Sequence, residues 1–134
     1  MKRYLEQASH NENFHICLVE KFKDHFFDWK ITVLFYTAIH YLKALAINRG
    51  AKIGETHYDI EQSVNPDRDY AVMKISRNAC REYKSLFQYS KTARYEGFTD
   101  FNTFQKLKQI DYSYCMQHLD NFKKYIKGQG IKID

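Results

Sequence analysis

The chain has 134 residues, 44% of them hydrophobic and 28% charged, which supplies one domain with a core of its own. One proline and five glycines are too few for the turns of an all-β fold, and three scattered cysteines form no C-x-x-C pair. A disulfide framework and a zinc knuckle are thereby set aside, while a net charge of +5 permits an acidic partner, nucleic acid included.

The opening stretch, MKRYLEQASHNEN, has no apolar run of the kind a secretory signal needs, so a cytoplasmic protein with free thiols is expected. A first helix is predicted from about Tyr4 to Phe26, because Phe14, Cys17, Leu18, Phe22 and Phe26 keep a helical period. The second, residues 28–50, is apolar on nearly every side. Asp28 is its expected N-cap and Gly50 its expected C′ residue. Its oiliest run, Ile31 to Ile47, is broken by His40 and Lys43 and is short for a span, so it reads as a core helix with no membrane partner.

A short helix is predicted from His57 to Val64. Asn65 and Pro66 then read as N-cap and first position of a long helix over 66–96, stopped by Gly97. Thr99 or Asp100 caps a last helix reaching about Lys127, and 128–134 reads as a frayed tail. The sum is one domain over 1–134, all-α, an up-down four-helix bundle with a short accessory helix.

Two features carry chemistry. Val72, Ile75, Ala79, Tyr83, Leu86, Ser90 and Ala93 form a seam, while Lys74, Arg77, Arg81, Lys84 and Lys91 recur largely on the other side. Such a basic stripe can follow a phosphate backbone by releasing counterions; it can equally be a solvated helix face. Only Asp69 and Glu82 dilute it between Arg68 and Arg94. In the second helix Thr32, Tyr36 and His40 stand four apart on one face, either as a packing network or as a site. No H-x-x-x-H pair and no glycine-rich phosphate loop exists, so neither metal nor cofactor is expected.

The segments DWKITVLFYTAIHYLKALAINRG, ETHYDIEQSV and REYKSLFQYSKTARYEGF together resemble small prokaryotic HEPN-like proteins over roughly residues 28–98. The shared elements are the Asp-Trp helix start, the aromatic-aromatic-x-Ala-x-His-Tyr core, the Thr-His after a glycine loop, and the Ser-x-x-Ala-Arg-Tyr helix end. The resemblance implies a bundle that is usually a homodimer and that works in toxin–antitoxin, defence or RNA-processing systems. Many such proteins are metal-independent ribonucleases in which the Arg and His of an R-x(4–6)-H motif hold the phosphate and move a proton. This chain departs from that motif, since YEGFTDF follows Arg94, and its one formal match is Arg3 to His10 at the other end. The resemblance instead suggests a pocket with His40 and Arg94 as catalytic candidates and Tyr36, His57, Tyr58, Ser90 and Tyr95 as lining. Two functions follow. One is RNA binding or metal-independent RNA cleavage. The alternative is a non-catalytic module that dimerises and binds a protein such as a nucleotidyltransferase or antitoxin.

Overall fold

The computed structural model describes residues 1–95 and 100–133, with only the backbone of Tyr95. Five helices make up its regular structure: α1 (Lys2–Lys21), α2 (Phe27–Asn48), α3 (His57–Val64), α4 (Arg77–Tyr95) and α5 (Phe101–Gly128). Among the described residues there is no strand, and the architecture is the expected up-down bundle with α3 as its accessory helix.

Helix α2 is the centre. It packs against α1, α4 and α5, and α4 also packs on α5. Ile31, Phe35, Ala38, Leu42 and Leu45 are fully enclosed, as suits a helix that is apolar all round at the centre of a bundle. By length and composition alone α2 suffices to cross a membrane, but 67% of that window is buried inside the bundle.

The helix ends explain where the sequence reading slipped. Helix α1 stops at Lys21 instead of about Phe26, and α2 is preceded by Phe26 in the left-handed region, φ 60°. Asp28 is therefore inside the first turn of α2 and is not its cap. The turn is held by Lys30, 1% exposed, whose amino group donates to the carbonyls of Phe22 at 2.5 Å and Lys23 at 3.3 Å. A buried cation thus satisfies carbonyls at the negative end of α1. At the other end Gly50 behaves as expected. Its φ is +66°, its N–H donates to Ile47 at 3.1 Å, and the Ala51 N–H donates to Ala46 at 2.9 Å, a Schellman closure.

The helix expected over 66–96 begins only at Arg77. Asn65 is no helix cap there: its side-chain oxygen accepts the Asp67 N–H at 2.9 Å, making a turn instead. The loop that follows is tied to α3 by Met73 N–H to Ser63 (2.9 Å) and Ile75 N–H to Val64 (3.1 Å). Met73 and Ile75 are buried and Val72 is 63% exposed, so an alternating pattern operates where a helical one was read. Ser76 caps α4 through Ala79 N–H at 3.1 Å. Asp100 caps α5 by accepting the Thr103 N–H at 2.9 Å; Gly97 and Thr99 lie outside the described residues. The tail is packed up to its last described residues, not frayed, because Ile131 is 3% exposed in the core and Ile133 leans on it. The described thiols are free, with Cys80 and Cys115 buried and Cys17 exposed.

Candidate nucleic-acid interface

Helix α4 sorts its residues by face. Ala79, Tyr83, Leu86, Ser90 and Ala93 are buried against the bundle, while Arg77, Arg81, Lys84 and Lys91 are exposed on the opposite side. At 1.5 Å per residue the four span about 21 Å. Lys74 is exposed as well, but it stands on the loop before the helix. Glu82, the acid within α4, is turned to α5, where it accepts from His118 Nδ1 at 2.5 Å. Arg77 pairs with Asp67 at 2.9 Å. Among the described residues Arg81, Lys84 and Lys91 form no ion pair, so the stripe keeps its charge.

The N-terminal end of the stripe is concave. Asn65, Asp67, Arg77, Arg81 and Lys84 border a cavity of about 130 Å³ with Cys80 at its side. Its wall is fixed from α3, where Glu61 accepts from Asn65 Nδ2 at 2.6 Å and from Arg68 at 3.4 Å. Burial pulls the Glu61 carboxyl up, but the Asn65 hydrogen bond and the Arg68 and Lys84 charges outweigh it and hold the group below its usual range. Burial raises the Cys80 thiol, which keeps it neutral.

The expected pocket assembles only in part. His40 Nδ1 donates to the Tyr36 carbonyl of its own helix at 2.7 Å, and its ring tilts against Tyr4 of α1 at 6.2 Å. Thr32 likewise donates back along its own helix, to the Asp28 carbonyl at 2.9 Å. Arg94 Nη1 donates to the buried hydroxyl of Ser90, so those two do meet. The histidine that senses Arg94 is His57. Its ring lies between Phe87 at 4.6 Å and Phe35 at 5.1 Å, and its buried Nδ1 has no hydrogen-bond partner among the described residues. Burial, then the charges of Arg94 and Lys43, hold His57 below the ordinary histidine value. Tyr36 stays 41% exposed beside Phe35, Tyr58 points out at 73% exposed, and the Tyr95 side chain lies outside the described residues.

Sequence reasoning missed two features. Lys43 bears on His57, although it was read only as an interruption of an apolar run. Asp28, Trp29 and Thr32 join Arg94 and Ala93 around a cavity of about 200 Å³, where the buried Asp28 Oδ1 has no hydrogen-bond partner among the described residues. Asp-Trp marked a helix start in the sequence, and nothing local tied it to the far end of α4. Arg3 and His10 are both exposed on α1, and Arg3 is engaged with the Tyr4 hydroxyl at 2.8 Å. Among the described residues no group of three metal-ligating side chains converges.

The family model for the HEPN domain matches residues 1–129, thus including the α1 and α5 regions that resembled the family only in kind. No curated protein and no solved structure matches the chain. With a match over nearly its whole length and an all-helical bundle to accompany it, the chain belongs to the HEPN-domain family.

Proposed function

We propose that this HEPN domain binds RNA by its phosphate backbone along the outer face of α4. One observation carries the reading: Arg81, Lys84 and Lys91 share an exposed face and form no ion pair among the described residues, and the helix's acid, Glu82, is turned inward to His118. A merely solvated helix gains from mixing its signs on one face; this one separates them. The test is fluorescence anisotropy with a labelled single-stranded RNA across a salt series. Three phosphate contacts give a slope of about 2 in log Kd against log salt, and Lys91→Gln lowers it by about 0.7. Unchanged affinity in the double reversal Arg81→Glu with Lys84→Glu contradicts the reading.

The same mixtures, free of metal, report on cleavage. Cleavage lost in Arg94→Ala and His57→Ala but kept in His40→Ala makes His57 the proton-handling group of a nuclease. Intact RNA with salt-sensitive binding leaves a binding module.

A second reading has its own support, exposed apolar side chains on α1 and α5 away from α4's basic face. Ile16, Leu34, Met116 and Leu119 line a groove of about 610 Å³ between α1 and α5 together with Ser9, Glu12, Asn13, His15, Asp120 and Lys123, and on the other flank of α5 Leu107, Ile110 and Tyr114 are each at least half exposed. Exposed apolar side chains of this kind suit a second copy of the chain or a protein partner of the antitoxin or nucleotidyltransferase kind. Sedimentation equilibrium of the wild type and Met116→Glu tests self-association. A monomer in both removes the homodimer from this reading.

A further inference from the structure

The cavity at the start of α4 differs in kind from the rest of the stripe. Lys91 stands on an open helix face, whereas Arg77, Arg81 and Lys84 converge on a recess bounded by the Asn65 turn. The three cations face one carboxylate, Asp67, which is paired with Arg77 at 2.9 Å. Glu61, behind the wall, is committed to Asn65 and Arg68. Cys80 beside the cavity is a neutral thiol. Among the described residues Arg81 and Lys84 form no ion pair, and although Lys84 also bears on Glu61 through the wall, the lining of the recess itself carries a net charge of +2. A bridging phosphodiester brings a single negative charge, while a terminal phosphate monoester brings nearly two at neutral pH, together with three acceptor oxygens. At about 130 Å³ the recess is large enough to take one phosphoryl group.

We propose that this recess binds the terminal phosphate monoester of an RNA strand, so that the domain grips a phosphorylated strand end and lays the adjoining backbone along α4 toward Lys91. The inference rests on the RNA reading above and adds the part of the strand that is recognised. Arg81 supplies the planar fork that pairs with two phosphate oxygens, and Lys84 supplies a point charge on the third. Arg77 stays with Asp67 and shapes the rim.

The experiment compares one oligoribonucleotide sequence with a 5′-phosphate, a 3′-phosphate or hydroxyls at both ends, using the full chain at fixed salt. A terminal phosphate at one end is expected to tighten binding about tenfold, and Arg81→Gln to abolish that preference. Lys91→Gln, seven residues and about 10 Å further along the helix, should weaken all three strands alike and leave the preference intact. Equal affinity for all three strands in the wild type overturns the inference while the RNA reading stands. If no strand binds, the RNA reading fails and the inference about strand ends fails with it. Inorganic phosphate then tests the recess alone. Phosphate-specific thermal stabilisation over chloride at equal ionic strength, lost in Arg81→Gln, keeps a monoester site. No such stabilisation removes the site altogether.

Discussion

His57 and His15 are set by their surroundings in the same direction. Burial comes first for both, followed by Arg94 and Lys43 at His57 and by Lys30 at His15, and each is held below its ordinary 6.5. Protons that the unfolded chain accepts near that value are refused by the fold. Between each folded value and 6.5 the unfolded state binds more protons, so stability falls as pH drops through this window and levels off beneath it. Urea midpoints at neutral pH and at mildly acidic pH should show the fall, and His57→Gln should reduce it; an unshifted midpoint contradicts the assignment. Lys30 offers a second check. Its buried amino group closes the last carbonyls of α1, so Lys30→Met should cost about 1–3 kcal/mol by leaving them without a charged donor. A denaturation curve superimposable on the wild type would show that water replaces it.

At the scale of elements, two glycines test how the loops are held. Gly50 has φ +66° and open space where a Cβ would stand, so Gly50→Ala pays only for the left-handed backbone, about 1–2 kcal/mol. Gly54 has φ +87°, and its Cβ would meet the Asp59 Cβ at 2.5 Å. Gly54→Ala should therefore cost more than Gly50→Ala, because the clash falls on the first turn of α3, next to His57. Thermal melts of the two variants give the order directly. The start of α4 is equally specific: Ser76→Ala removes its cap and should cost about 1 kcal/mol, whereas Pro66→Ala, at the expected but absent helix start, should leave α4 helicity unchanged by circular dichroism.

For the molecule as a whole, Glu12 is the point where three helices meet. Its carboxylate on α1 accepts from the Tyr41 hydroxyl of α2 at 2.6 Å and from Lys123 of α5 at 2.7 Å. Burial and this contact raise the Tyr41 hydroxyl well above its usual range, so it stays protonated as the donor at neutral pH. Glu12→Ala leaves a buried hydroxyl without its acceptor and should destabilise by about 1–3 kcal/mol, read as a shifted urea midpoint with an unchanged slope. The α4 variants Arg81→Gln and Lys91→Gln lie on the exposed face and should leave that midpoint in place, which separates binding from folding.

Composition and period determined a great deal without coordinates. Few turn residues and a long apolar run gave helices, α2 as their centre, the α3 span and the Gly50 stop, because those depend on neighbours within a turn of chain. The basic residues of α4 were legible for the same reason. The tertiary structure decided the rest. Residues 66–76 carry acids and a proline suited to a helix start, but backbone hydrogen bonds to α3 and burial of Met73 and Ile75 outweigh that local preference. Ile131 is drawn into the core where a frayed tail was expected. His40 and His57 look alike as sequence, and only packing turns the first back on its own helix and places the second under the charges of Arg94 and Lys43. Charge and burial at a site are sums over segments far apart in the chain, and no local window contains them.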